Sequence, residues 1–564
     1  MIWKSVISTL AGLAYLQACR WRSSFLKLTE NCHRTQNILL KRILQHQRYT
    51  QFGRDHGFQH IRHLADFRRQ VPIHRYEDLE SYMTQVRQGN TKALLRDRQI
   101  HMFALTSGTT ASRKYIPVSR QYLKDYKRGT NIWACGIFQQ YPQAFLKPIL
   151  QLVSDWDEYR TEGGNIPCGS ISGLTSHMQR KAVRQFYCLP AESGKVKDAS
   201  AKLYLALRLG LMARELGLMG SANPSTFIKL AQLMESHSEE LIRDIHDGTL
   251  KSDVAIPDAV RASLLPYLQK NPERAKELET IRSREGKLLP KDAWKPIHTI
   301  GCWTGGSVGL YLKQFPLYYG AAPVRDLGLL ASEGRFTIPL EEGTTGGVLD
   351  ISSHYFEFIP EAEIQSPQPV TLTASELEPG KNYYLLPTTK YGLYRYNIYD
   401  VVRVLDHHHS TPIVEFLNKG SLFSNLTGEK LSEFQVVAAM KKASQLWGYL
   451  PSAYTLAPYW DERTPGYSLY LEEHEMEALP AEQLAQVFDQ LLREQNMEYD
   501  TKRESQRLRG LEICVLPRNT WNTWDAARLA RCGGSSEQYK RPCLINDLEF
   551  KASMPVVRTV AGRY

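Results

Sequence analysis

His101-Met-Phe-Ala-Leu-Thr-Ser-Gly-Thr-Thr-Ala-Ser-Arg-Lys-Tyr-Ile-Pro-Val-Ser119 decides how this chain is read. The apolar run Met102–Leu105 has the composition of a buried strand. It leads into a loop of hydroxyls, one glycine and a basic pair. Gly108 lets the backbone turn tightly, so that successive N–H groups converge on an anion. Thr106, Ser107, Thr109 and Thr110 add hydroxyl donors, and Arg113 and Lys114 add positive charge suited to a polyphosphate. The spacing excludes a Walker A loop, because no second glycine is followed by Lys-Ser/Thr. Taken alone, the same residues also fit an ordinary solvated turn.

The surrounding chain alternates strands and helices. The first hundred residues read as helices with short breaks, and Asn37–Gln47 carries an apolar stripe at Ile38, Leu39, Leu40, Ile43 and Leu44. Strand-like runs follow at Met102–Leu105, Pro148–Val153, Pro296–Cys302, Tyr383–Pro387, Gly392–Ile398 and Val401–Val404. Helix-rich segments separate them, notably Lys202–Leu218 and Pro224–His246. This order predicts an α/β fold with helices flanking β-sheets, and residues 340–416 read as a β subdomain. A boundary near Phe416–Gly420 divides a large N-terminal domain, 1–417, from a small C-terminal one, 418–564. In the latter, Ser432-x-x-Gln435 predicts a capping box for a helix ending at Gly448. Strands at Tyr454–Tyr459 and Tyr467–Leu471, a helix at Glu482–Arg493 and a strand at Leu511–Leu516 complete an α+β unit of a size that folds by itself.

At 564 residues the chain exceeds one small core, and 42% hydrophobic with 10% aromatic residues is a globular composition. Its nine cysteines are scattered without a C-x-x-C pair. That pattern suggests neither a zinc ribbon nor a redox pair and fits free thiols in a reducing cytosol. The net charge of +11 is spread among acids and accompanies no nucleic-acid motif. A basic surface with a pocket for anionic substrates explains it equally. His407-His408-His409 reads as a solvated turn, since three adjacent histidines share no face. Met1–Cys19 is too short and too amphipathic to span a membrane. A packed amphipathic helix is the preferred reading there, over an interfacial anchor or a cleaved signal.

Beyond composition, Thr106-Ser-Gly-Thr-Thr with Arg113-Lys-Tyr-Ile-Pro-Val-Ser119 resembles the phosphate loop of the GH3 family, acyl-acid amido synthetases within the adenylate-forming enzymes. Further strings follow in that family's order: Tyr49–Phe58, Phe67–Tyr76, Gly301-Cys-Trp-Thr-Gly-Gly306, Ala331-Ser-Glu-Gly334, Tyr355–Pro360, Gly392-Leu-Tyr-Arg-Tyr396 and Gln538-Tyr-Lys-Arg-Pro-Cys543. The resemblance runs from about residue 40 to 545. It implies an adenylate-forming type of large domain with a mobile C-terminal lid. The implied activity is a ligase forming carbon–nitrogen bonds: ATP adenylates a carboxylic acid, and an amine, an amino acid in the family, then takes the acyl group. ATP and Mg²⁺ are the implied cofactors, and a small acid and an amine the partners, in the cytoplasm.

The resemblance also distributes roles. Ser107, Gly108, Thr109 and Thr110 hold phosphates with Thr106 and Lys114 beside them. Ser332 and Glu333 lie at the nucleotide, and the Glu333 carboxylate suits Mg²⁺, which binds through one or two oxygens plus phosphate. Asp400 accepts the ribose hydroxyls. Lys540 enters with the lid and offsets charge on the α-phosphate and leaving group. Without the resemblance, Glu333 is a turn or helix-start glutamate, Asp400 a strand-edge residue and Lys540 a surface lysine. Trp303, Tyr355 and Phe356 fit either a substrate pocket or core packing.

The chain departs from the family pattern in places. Asn397 replaces an arginine three residues before Asp400, Tyr399 replaces a glycine, Asn418-Lys419 replaces a Gly-Arg hinge pair, and Ala111-Ser112 replace loop glycines. Arg395 or Arg403 is a candidate substitute for the missing guanidinium. Alternative readings are an acyl-CoA-ligase type of adenylating enzyme, or a degenerate, non-catalytic binder of nucleotide or acyl acid.

Overall fold

The computed structural model describes residues 2–106, 114–364, 366, 368–420, 423–424, 426–427, 429, 431–461, 464–504, 508–532 and 539–562. The fold is α/β, in two compact units. The larger unit comprises Met1–Ile398, Val402–Phe416 and Gly533–Tyr539. The smaller comprises Tyr399–Val401, Leu417–Cys532 and Lys540–Tyr564.

In the larger unit, the strands Ile149–Gln151, Leu218–Gly220, Ile300–Cys302 and Val324–Asp326 form a parallel sheet. Parallel strands joined by helical crossovers are covered on their faces, which explains why these runs are short and apolar. The covering core is built from the helices Ala199–Gly210, Pro224–Ser236 and Ser238–Asp247. A second sheet orders Lys114–Ser119, Ile100–Thr106, Pro167–Gly169 and Tyr159–Arg160. A seven-stranded sheet contains Asn382–Thr388, Asp400–His408 and Thr411–Lys419, and is the β subdomain expected for 340–416. One core joins the N-terminal helices to these last two sheets.

Helix positions follow the apolar stripes, with informative exceptions. The stripe at Asn37–Gln47 lies in the helix Cys32–Gln47, capped by the Asn31 side chain, which accepts from the Arg34 N–H at 3.0 Å. The segment Lys202–Leu218 is not one helix: it stops at Gly210, and Leu218 already begins a strand. The segment Pro224–His246 is two helices, broken at His237. Gly392–Ile398 is not a strand. Its apolar run is buried, but Gly392, Arg395 and the following Tyr399 have φ of +101°, +45° and +59°, which extended backbone does not allow. Burial on both sides gave the segment a strand-like composition without strand geometry.

The N-terminal helix, Ile2–Thr29, packs along the helix Arg120–Gln140. Phe25 is buried with Ile132, Trp133 and Ile137, and Tyr15 meets Phe138 and Phe145 at 6.5 and 5.4 Å between ring centroids. The packed-helix reading therefore holds from Tyr15 onward. Among the described residues, no helix is long and apolar enough to cross a membrane. The described cysteine side chains are free thiols. The turn reading of the three histidines holds only for His409, at φ +55°, because His407 and His408 are half-buried and end the strand Asp400–His408.

The smaller unit has the expected element order. Ser432 and Gln435 form the capping box, with reciprocal bonds of 3.3 and 2.9 Å, and Gly448 ends that helix at φ +62°. The sheet orders Thr455–Asp461, Thr464–Glu472, Glu512–Leu516 and Arg558–Ala561, with the helix Ala481–Gln495 between its second and third strands in sequence.

Candidate active site

The strands Ile100–Thr106 and Lys114–Ser119 pair antiparallel, and Thr106 opposite Lys114 is the last pair of the register. The loop Ser107–Arg113 is thus the connection of a hairpin. Ser107, Gly108, Thr109 and Thr110 lie outside the described residues. Lys114 stands at the loop's exit, with its Nζ 5.7 Å from the centroid of the Tyr76 ring. The Tyr76 hydroxyl accepts from the Tyr115 N–H at 2.8 Å, which fixes the strand beside Lys114.

A second, two-residue hairpin meets the entrance of that loop. Leu330–Ala331 pairs with Gly334–Arg335, leaving Ser332 and Glu333 at the tip. The Ser332 hydroxyl donates to the Leu105 carbonyl at 3.1 Å, one residue before Thr106. From below, the Tyr122 hydroxyl donates to the Ser332 carbonyl at 3.0 Å and the Tyr391 hydroxyl to the Glu333 carbonyl at 2.9 Å. Burial pushes both phenols well above their ordinary range, so they remain O–H donors at any physiological pH. Three other chain segments, at Leu105, Tyr122 and Tyr391, therefore hold Ser332 and Glu333 at the end of the strand that feeds the loop. Glu333 is only 5% exposed.

Gly334 is required by this packing. Its φ is +153°, and a Cβ there would lie 2.6 Å from the Tyr391 hydroxyl and 3.3 Å from the His354 ring. We expect Gly334→Ala to displace Tyr391 from the Glu333 carbonyl. Its cost should appear as a loss of about tenfold or more in nucleotide-dependent turnover with little change in melting temperature, because the hairpin is small. Unchanged turnover would show that the tip geometry is not used.

Asp400 opens the strand Asp400–His408 and is buried. Arg395 cannot replace the guanidinium missing at Asn397. Its Nε donates to Glu357 Oε2 at 2.8 Å, its Nη1 to the Val71 carbonyl at 2.8 Å and its Nη2 to Thr371 Oγ1 at 3.2 Å. Arg403 donates from Nε to Asn382 Oδ1 at 3.1 Å. Three residues on from Asp400 along the strand, it projects to the opposite face. Both candidate substitutes are thereby corrected.

Other assignments separate cleanly. Tyr355 and Phe356 are core residues: Tyr355 meets Phe67 at 6.1 Å and Phe356 meets Phe336 at 6.1 Å between centroids. The Trp303 indole N–H donates to the Gly328 carbonyl at 3.1 Å. Asp326 braces the same turn, accepting from the Thr304 and Gly328 N–H groups at 2.7 and 2.6 Å.

Lys540 lies in the smaller unit, half-buried, ahead of a clamp that the sequence did not reveal. Glu433 accepts the Cys543 N–H at 2.5 Å and a further bond from the Leu544 backbone. Burial pushes the Glu433 carboxyl up to about 7, against the two N–H groups and the nearby Lys540 ammonium, which favour the ionised form. Between the ordinary value of 4.5 and about 7, the folded chain binds this proton more readily than the unfolded chain. Stability therefore falls as pH rises through that window, and the full cost is present above it. Relative to Glu433→Gln, the parent should lose roughly 3 kcal/mol on going from below to above this window, read by urea unfolding of the two proteins at each pH. A pH-independent difference would sink this account.

Tyr122, Tyr391 and Glu433 were not legible as functional residues. Tyr391 does border the quoted Gly392–Tyr396 string, but Tyr122 and Glu433 act on backbone atoms far away in sequence.

Known families and structures agree with this architecture. The GH3 family N-terminal domain matches residues 22–324, its central domain 347–419 and its C-terminal domain 434–549. The chain belongs to the GH3 family. It is 26% identical to the indole-3-acetic acid-amido synthetase GH3.10 of Arabidopsis thaliana, across 93% of this chain and 94% of that protein. It is 26% identical to the jasmonoyl-L-amino acid synthetase GH3.5 of Oryza sativa subsp. japonica, across 96% of this chain and 97% of that one. Among solved structures, the GH3.15 acyl acid amido synthetase superposes with a TM-score of 0.82 at 20% identity, covering 95% of this chain and 96% of that one.

Proposed function

We propose that this protein is an ATP-dependent acyl-acid amido synthetase. It adenylates a carboxylic acid and then joins the acyl group to an amine, with an amino acid as the acceptor class. The observation that carries this reading is the Ser332–Glu333 hairpin hydrogen-bonded onto the strand end that enters the Ser107–Arg113 loop, in a chain of which 93% matches 94% of an amido synthetase.

In the first step a substrate carboxylate oxygen attacks the α-phosphorus of ATP. The bond to the bridging oxygen breaks, pyrophosphate leaves and an acyl-adenylate forms. Thr106, Ser107, Gly108, Thr109 and Thr110 supply N–H and hydroxyl donors to the phosphates, and Lys114 adds charge. Ser332 fixes the strand end, and Asp400 takes the ribose hydroxyls. The buried Glu333 carboxylate fits Mg²⁺, which binds through one or two carboxylate oxygens plus substrate phosphate. Mg²⁺ would neutralise phosphate charge there. In the second step the amine nitrogen attacks the acyl carbonyl, AMP leaves and the nitrogen gives up a proton. No Ser or Cys nucleophile is needed, because the adenylate is itself the acyl donor.

We further assign residues 1–417 to the nucleotide- and acyl-binding domain and 418–564 to a lid that delivers Lys540, the type of step that often limits turnover in ligases. We place the enzyme in the cytoplasm, where ATP is supplied.

The test is ATP–pyrophosphate exchange with Mg²⁺ over a panel of carboxylic acids, followed by mass detection of amides with the standard amino acids. Exchange stimulated by one acid class, and reduced at least about a hundredfold by Glu333→Gln, supports the reading. Thioester formation with coenzyme A in place of amides would move it to the acyl-CoA-ligase alternative. ATP binding without exchange for any acid would establish the degenerate binder.

A further inference from the structure

The N-terminal helix buries one face and leaves large apolar side chains on the other. Leu13 and Leu16 are 59% and 56% exposed. They share a face by helical spacing, and Arg20 continues that face one turn on. Beside this helix packs the short helix Lys181–Arg184, where Met178, just ahead of it, and Val183 are also exposed. Two adjoining helices thus present bulky apolar groups to solvent.

The two segments that carry this patch hold charge of one sign, the neighbouring acids Glu341 and Glu342 lying with Arg22 about Arg325. Residues 1–29 contain Lys4, Arg20, Arg22 and Lys27 and no acid. Residues 163–191 contain Arg180, Lys181 and Arg184 and no acid. The whole chain holds 59 acids in 564 residues, so about one residue in ten elsewhere is acidic, and their absence from both neighbouring segments is a local property. Arg20, Arg180 and Lys181 are exposed. Lys and Arg beside exposed leucines is the composition of a surface that inserts apolar tips among lipid headgroups while its cations meet anionic phosphates. A partner protein of acidic surface would be drawn to the cations, but it leaves the protruding leucines without a reason.

We propose that the face formed by Leu13, Leu16, Met178 and Val183, with Arg20, Arg180 and Lys181, docks this protein reversibly on an anionic lipid bilayer. The assignment is independent of the ligase reaction. It adds a location: the enzyme works at the cytosolic surface of a membrane, where amphipathic carboxylic acids concentrate.

The test is flotation of the full chain with phosphatidylglycerol/phosphatidylcholine vesicles against pure phosphatidylcholine vesicles, at low and high salt. The expected result is binding to the anionic vesicles at least about tenfold above the neutral ones, lost in high salt. Two variants locate it. Leu13→Ser/Leu16→Ser and Arg180→Glu/Lys181→Glu alter exposed positions. Each should reduce vesicle binding at least about fivefold while keeping the parent's melting temperature. Absence of vesicle binding, or binding that both variants retain, overturns the proposal. Concentration-dependent dimers that the same variants abolish, without vesicle binding, would overturn it in favour of a second copy of this chain.

Discussion

Lys540→Ala loses ATP–pyrophosphate exchange by about 10²–10³-fold while its affinity for ATP stays within a few-fold of the parent. The reasoning rests on where charge changes. On the proposed reading, the loop donors and Lys114 meet the phosphate charge already in ground-state ATP. At the transition state the leaving pyrophosphate gains charge, and an ammonium delivered then stabilises that state more than the substrate complex. Such an interaction lowers kcat and kcat/KM together and leaves binding nearly unchanged. The local structure supports a dedicated position. Lys540 is half-buried, and the segment after it is pinned by Glu433 through the Cys543 N–H. Exchange and ATP titration on the same two proteins decide the matter. Equal losses in both would make Lys540 a binding residue, and no loss in either would return it to the surface.

Glu357→Ala destabilises the larger unit by about 3–5 kcal/mol, the cost of leaving a buried charge without its partner. Glu357 is fully buried in the strand Tyr355–Pro360 and accepts four bonds from three residues. Arg395 donates to both of its oxygens at 2.8 and 3.2 Å, Arg68 at 2.9 Å and Thr371 at 2.9 Å. Removing the carboxylate strands the Arg395 guanidinium, which holds the Gly392–Ile398 segment through the Val71 carbonyl as well. For a unit of this size the calorimetric transition should fall by about 4–6 °C. Arg68→Ala should cost less, because Arg68 is partly solvated and Arg395 still neutralises the carboxylate. A Glu357→Ala transition within about one degree of the parent would show that the pair contributes little net stability, as some buried ion pairs do.

Much of this protein was legible because its signals are local. A cap, a glycine and an apolar stripe are contained within a few turns, so the stripe at Asn37–Gln47 and the boundaries at Ser432 and Gly448 could be read directly, whereas the cap at Asn31 was not read. The Ser/Thr/Gly loop and the Ala-Ser-Glu-Gly string were legible as strings, since each is continuous in the chain. Other readings failed where burial was complete. Gly392–Ile398 looked like a strand because every side chain is apolar or inward-facing. Composition reports burial, whereas positive φ at Gly392, Arg395 and Tyr399 is a backbone property that it does not encode.

The missing guanidinium shows the same limit. Sequence proximity to Asp400 made Arg395 and Arg403 candidates, yet direction decides function. Arg395 turns into the Glu357 network and Arg403 faces away along the strand. By itself the sequence determined the α/β class, the family and the identity of the carboxylates and lysines available. Only the tertiary structure decided that Ser332 hydrogen-bonds to the residue before Thr106, that Tyr122 and Tyr391 hold the Glu333 tip, and that Glu433 clamps the segment behind Lys540. The physical reason is that these are single hydrogen bonds to backbone atoms. They leave no periodicity in the chain, and they join residues that only folding brings within 3 Å or so of one another.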